Sequence, residues 1–266
     1  MRVLNSRTLK FDSGIFKYGE HEYAIVSHRW RDEEVDYQEM LESIRSPKTE
    51  QKNGYEKIKR ACKQAVKDKL EYLWIDTCCI DKSSSAELSE SINSMYAWYR
   101  AASVCYAYLD DVPDYVYAYA DPDFDKSAWF TRGWTLQELL APEKLKFFSK
   151  GWREIGRKSS LYNQLSKITG IDIDVLTGST SVLSVSIAQR MSWASKRKTT
   201  RVEDQAYCLM GMFNVNMPML YGEGEKAFIR LQEEIMADSD DESIFAWRDP
   251  NADPEDLYGL LAKTGS

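Results

Sequence analysis

In the stretch "RGWTLQELL" (residues 132–140) a single carboxylate, Glu138, stands among leucines and a tryptophan. With about 100° of turn per helical residue and Trp134 set at zero, Leu136, Leu139 and Leu140 fall at about 200°, 140° and 240°, and Glu138 at about 40°. The leucines form one apolar face, and Glu138 lies on the other, one turn after Trp134. From this wheel alone Glu138 reads as a solvated helix residue. Trp134 complicates that reading, because a large ring on the non-core face needs cover from another segment or from a ligand. A carboxylate beside such a ring is a candidate for a partly desolvated pocket, where its proton affinity can be tuned.

Three more groups of polar residues follow apolar runs. "EYAIVSH" (22–28) ends in Ser27 and His28 and leads to Arg29 and Trp30. "YLWIDTCCI" (72–80) carries Asp76, Thr77, Cys78 and Cys79, and "SVCYAYLDDV" (103–112) carries Asp110 and Asp111. Ligands of open parallel sheets bind beyond the carboxyl ends of the strands, so these are candidates by position. The plainer reading is that strand ends run into polar loops.

Two other signals are weaker. "GEGEKA" (222–227) fits the dinucleotide pattern G-x-G-x-x-A, but it follows no buried strand and places Glu223 and Glu225 where phosphates would approach. It reads as a turn into a helix. Adjacent Cys78 and Cys79 would point to opposite faces of a strand, poorly placed to share a metal, and read as small core residues.

The elements that must position these residues alternate. Runs 22–28, 72–80, 103–112 and 144–149 read as buried strands. Residues 55–70 have helical spacing at Ile58, Ala61, Cys62, Ala65 and Val66, and a helix from about residue 84 begins with Ser84 and Glu87 in capping-box register. Strand–helix alternation predicts an α/β fold: a mostly parallel sheet with helices on both faces. That core is expected over residues 1–155. A helical C-terminal part, 156–266, is expected to pack on it, with helices near 160–169, 186–195, 203–213 and 225–236, a Thr200–Glu203 capping box, and a late strand or extended segment at 242–249.

Composition narrows the function classes. Net charge is −7, from 35 basic and 42 acidic residues, and the only basic cluster is Lys196–Lys198, so no nucleic-acid partner is expected. The five cysteines are odd in number and the N-terminal "MRVLNSRTLK" lacks an apolar stretch, which predicts reduced thiols in a cytoplasmic protein. With two histidines, no Cys/His spacing suggests a metal, and no apolar run is long enough for a membrane span. The chain stops at "LLAKTGS" and reads as a fragment of something longer.

"YAIVSHRWRDEEVDYQEM", "YLWIDTCCIDKSSSAELSESINSMYAWYRAASVCYAYLDDV" and "WFTRGWTLQELLAPEKLKFFSKGW" resemble blocks of the fungal heterokaryon-incompatibility (HET) domain. "EDQAYCLMGMFNVNMPMLYGEGEKAFIRLQEEI" is similar to the segment that follows these blocks, and the resemblance covers roughly residues 1–250. It implies an effector of regulated cell death when incompatible fungi fuse. It also implies a longer receptor-like chain with C-terminal oligomerisation and repeat domains as partners.

The HET domain is itself distantly similar to TIR domains, which have a flavodoxin-like sheet. "YAIVSHRWRDEE" is similar to their opening strand and loop, and "RGWTLQELL" to their W-C-L-x-E-L helix. Thr135 departs from that pattern, as does the long segment 114–127 before the helix. The similarity implies a TIR-like fold and an NAD glycohydrolase with catalytic Glu138. Trp134, Ser27, Arg29, Trp30, Asp76 and Asp110 would then bind NAD as a substrate, with no metal or other cofactor and with self-association for activity.

Cleaving the nicotinamide–ribose bond releases a neutral leaving group from a cationic ring. One carboxylate that stabilises the developing ribosyl cation can therefore suffice, unlike ordinary glycosides, which use two. The alternative is a non-enzymatic module that acts by self-association or partner recruitment. In it Trp134 is buried in an interface or under 114–127, and Glu138 is solvated.

Overall fold

The structure is a computed structural model that describes residues 1–12, 16–41, 46–119, 121–248 and 260–262. Its centre is one six-stranded sheet: β1 (Leu4–Asn5), β2 (Tyr23–His28), β3 (Tyr72–Trp74), β4 (Val104–Tyr108), β5 (Leu145–Phe148) and β6 (Glu154–Arg157). The spatial order is β1-β3-β2-β4-β5-β6. The four inner strands are parallel, and β1 and β6 close the edges antiparallel. The chain leaves β2 for β3 on one side and returns to β4 on the other. The strand order therefore reverses between β2 and β4, where sheets of this kind form a crevice at the carboxyl ends.

Side chains alternate across β2. Tyr23, Ile25 and Ser27 face the Ser85–Ala101 and Thr135–Leu140 helices: the Tyr23 hydroxyl donates to Trp98 O, and the Ser27 hydroxyl to Glu138. On the other face, His28 approaches Lys57 of the Asn53–Lys67 helix, and Tyr106 of β4 donates to Asp68 just past that helix at 2.7 Å. All six residues of β2 are buried, as strands covered on both faces require. The Asn53–Lys67 helix turns Ile58, Ala61, Cys62 and Ala65 into the core as read from sequence, together with Tyr55, while Val66 is only half-buried.

Several expectations are corrected. The run 72–80 is a strand only to Trp74. Asp76–Cys79 is a helical turn closed by Cys79 N donating to Ile75 O at 2.9 Å, so the two cysteines are both buried on a helix rather than on opposite strand faces. Ser84 makes its half of the capping box by accepting from Glu87 N at 3.3 Å, but the Glu87 carboxylate turns to Asp81 N and Arg2. Residues 203–213 form two short helices, Asp204–Tyr207 and Met210–Phe213. Thr200 caps neither; it accepts from Arg132, and Glu203 instead accepts from Gly222 N and Gly224 N.

Those two glycines have φ of +107° and +62°, which makes "GEGEKA" a turn into the Lys226–Asp238 helix. The late segment is a 3₁₀ turn at Glu242–Phe245 rather than a strand, and Asp249 and the final "KTGS" lie outside the described residues. Among the described residues no helix is long and apolar enough to cross a membrane.

The Ser84 cap fixes the start of the helix that covers β2 and β3. Ser84→Ala is expected to lower stability by about 1 kcal/mol, read from urea unfolding; an unchanged midpoint contradicts the capping role.

Candidate active site

Glu138 is buried, with 6% of its surface exposed. This corrects the wheel: every residue of the Thr135–Leu140 helix is buried, so it has no solvated face. The sheet covers one side, and residues from the C-terminal part close over the other. Gly133 N donates to Lys198 O at 2.9 Å, and a Cβ on Gly133 would meet Thr199 Cγ2 at 2.5 Å and Cys208 Sγ at 3.1 Å, so a larger residue would push these side chains aside. Arg197 donates to Arg132 O and to Thr135 Oγ1, each at 3.0 Å. At the far end of the helix the buried Lys158 amine donates to Pro142 O at 3.0 Å and reaches Leu140 O.

Behind Glu138 runs a directed pair of hydrogen bonds. The indole Nε1–H of Trp129, from the Ala128–Thr131 turn, donates to Ser27 Oγ at 2.8 Å, and Ser27 Oγ donates to Glu138 Oε2. An indole can only donate, so it occupies a lone pair of Ser27 and turns the hydroxyl proton toward the carboxylate. Trp129 and Ser27 are both fully buried. Burial nevertheless dominates and pushes the Glu138 carboxyl up to about 8, with Asp76 adding to the rise; Ser27, Arg132 and Arg197 oppose it.

Glu138 forms part of the wall of a cleft of about 380 Å³ at the carboxyl ends of β2 and β3. Trp30, Asp76 and Trp134 join it there, as expected from sequence. Trp134 is half-buried and shares the cleft wall with Asp204, which accepts from the Tyr221 hydroxyl at 3.0 Å. Trp30 donates from Nε1 to Asp76 Oδ2 at 2.7 Å and stacks its ring under the Lys82 amine at 4.0 Å. Trp134 thus stands on the cleft wall with Asp204 and Tyr221.

Three expected residues stand elsewhere. Ser27 is sealed behind Glu138 and does not line the cleft, so it positions the carboxylate rather than touching a ligand. Arg29 and Asp110 pair with each other at 3.2 Å, with Asp111 and Arg31 completing the network, in a separate depression beside Tyr108 and Trp152. Their charges are spent on one another, which removes them from the cleft.

His28, named from sequence only as a strand-end candidate, also lines the cleft, and so do Lys82, Arg132, Arg201, Asp204 and Tyr221, which sequence reasoning did not select, as it did not select Trp129 behind it. His28 had a signal, being next to Ser27 at a strand end; the others come together only in the tertiary fold. Among the described residues no group of three or more His, Cys, Asp or Glu side chains is placed to hold a metal ion.

Residues 23–118 match the family described as "Heterokaryon incompatibility protein (HET)". Over 224 residues the chain is 47% identical to Vegetative incompatibility protein HET-E-1 of Podospora anserina, covering 81% of this chain and 16% of that protein. The chain carries a heterokaryon-incompatibility domain. The HET match contains β2, β3 and β4, and so Ser27, His28 and Asp76, whereas Trp129, Trp134 and Glu138 lie beyond it. Residues 226–263 match a family described as "Domain of unknown function (DUF8212)", and no solved structure matches the chain. The cleft of the HET domain is therefore completed by side chains outside the matched span.

A carboxyl raised from 4.5 to about 8 fits the fold better protonated than ionised. Its contribution erodes stability as pH rises from the unfolded value through about 8, and the full cost stands above that. Glu138→Gln stays neutral at every pH. Its melting temperature is expected to be close to wild type at about pH 4.5 and above it at about pH 9; a difference that does not change with pH contradicts a raised carboxyl.

Proposed function

We propose that this domain hydrolyses the nicotinamide–ribose bond of NAD and that Glu138 is its catalytic residue. The observation that carries this reading is the buried Glu138 carboxyl, held by Ser27 at the end of β2 and lining the cleft beside Trp134. Further support comes from the parallel strands: numbered along the chain they run 2-1-3-4, the order of flavodoxin-like sheets, which fits a TIR-like fold. Lys82, Arg132 and Arg201 are cations at the same cleft that suit a diphosphate. The likeness to a vegetative incompatibility protein supports a role in fungal incompatibility and cell death.

In the reaction the C1′–N1 bond breaks with its electron pair moving to nicotinamide, whose ring becomes neutral. The ribose gathers positive charge, which the Glu138 carboxylate stabilises. Water then forms the new C1′–O bond and releases a proton. Only ionised Glu138 performs this task, and the cationic nicotinamide ring of the substrate favours ionisation. The self-associated protein is the state to assay.

NAD turnover by concentrated purified protein is expected to fall at least about a hundredfold in Glu138→Gln with the fold retained. Normal turnover in that variant sinks the assignment. The wild-type kcat/KM is expected to rise about tenfold per pH unit below about 8 and to level off above it; a flat profile counts against an ionising Glu138.

One observation favours the alternative of a self-associating module. Tyr115, Tyr117 and Tyr119 are 73%, 64% and 80% exposed, while Val116 and Ala118 between them are buried. The segment runs beside β6, where Ala118 N donates to Ile155 O at 3.1 Å. A row of exposed rings at a sheet edge suits contact with another chain. Assembled protein that kills cells without consuming NAD would favour this second reading.

A further inference from the structure

The cleft holds a polar pair that the cleavage step does not use. His28, at the end of β2, is 7% exposed, and neither ring nitrogen makes a hydrogen bond within the protein. Asp76 accepts from Trp30 through Oδ2, while its buried Oδ1 has no partner. Both residues line the cleft that contains Glu138. Buried polar atoms in native proteins nearly always find partners, so two unsatisfied groups side by side in a cleft call for a partner there, a water or the ligand group that displaces it.

The geometry limits what that ligand group can be. His28 Nε2 lies 3.7 Å from Asp76 Oδ1, too far for a hydrogen bond between them. The other nearby carboxylate, Glu34, is 3.9 Å away, and both its oxygens are taken by Lys57. Burial, with Lys57 and Lys82 adding to it, keeps the ring neutral, so it offers one N–H and one lone pair. A single atom at about 2.8 Å from each partner closes a triangle on this base. With the N–H at Nε2, that atom must accept from the imidazole and donate to the carboxylate. A hydroxyl oxygen does both. An amide N–H only donates, and a phosphate oxygen only accepts and would meet Asp76 with like charge.

We propose that His28 and Asp76 form a hydroxyl-binding subsite that reads a ribose hydroxyl of the ligand. The identity of the sugar rests on the proposed cleavage of NAD: the nicotinamide ribose lies between this pair and Glu138, one hydroxyl on the pair and C1′ toward the carboxylate. The subsite then sets specificity for a ribosyl over a deoxyribosyl substrate.

The test is equilibrium binding to Glu138→Gln protein, which keeps the dinucleotide intact. NAD is compared with its analogues lacking the 2′- or the 3′-hydroxyl of the nicotinamide ribose. Each is measured again with His28→Phe or Asp76→Asn added, and thermal unfolding checks that each protein is folded. One deoxy analogue is expected to bind at least about tenfold more weakly than NAD, and the penalty is expected to vanish in both added variants. Asp76→Asn, nearly isosteric, keeps the cycle readable if His28→Phe unfolds. Equal binding of all three dinucleotides, no binding of any, or a penalty that survives both substitutions overturns the subsite. Discrimination without wild-type turnover sinks only the cleavage reading, and turnover without discrimination sinks only the subsite.

Discussion

The hydrogen bonds from Trp129 to Ser27 and from Ser27 to Glu138 tie the end of β2 to a distant part of the chain, the turn before the site helix and the helix itself. Because the indole can only donate, the pair of bonds has a direction, and its negative end is the carboxylate. Glu138 is thus placed by the core rather than by a mobile loop. The same burial that fixes its geometry raises its proton affinity, so position and titration have one physical origin. Anything that loosens the carboxyl end of β2 at Ser27 disturbs both together.

The opposite wall of the cleft depends on a different constraint. Gly133 lets residues 198–199 approach the start of the site helix, and Arg197 then ties its own element to Arg132 and Thr135. From there the chain carries Asp204 and Tyr221 to the cleft wall that Trp134 shares. Glu203, by accepting from Gly222 and Gly224, holds the glycine turn in place and with it the position of Tyr221. The cleft is therefore a joint product of the sheet and of the helices after it.

How much of this was legible in the sequence differs by residue. Strands β2, β4 and β5 announce themselves as short apolar runs because they are buried on both faces, and the helix at 53–67 does so by its period. The run 72–80 misled because it reads as one strand, although the polar pair Asp76–Thr77 already interrupts its apolar pattern after Ile75, where the helical turn begins. The two-residue β1 carries no pattern. Glu138 was found through Trp134 and a family resemblance, but its burial was not readable: the cover comes from residues about 60 to 80 positions later. Arg29 and Asp110 were placed correctly at strand ends yet neutralise each other, an outcome decided by side-chain distances that a strand-end rule does not contain.

The central claim is that Glu138 is a buried carboxyl tuned by burial and by Ser27. Its titration can be followed directly by carbon-13 NMR of labelled glutamate side chains, with Glu138→Gln identifying the signal. The account expects a midpoint at about 8 in the wild type and a higher one in Ser27→Ala, since the lost hydrogen bond favours the charged form. A midpoint in the ordinary carboxylate range, or one that does not move when Ser27 is replaced, would contradict it.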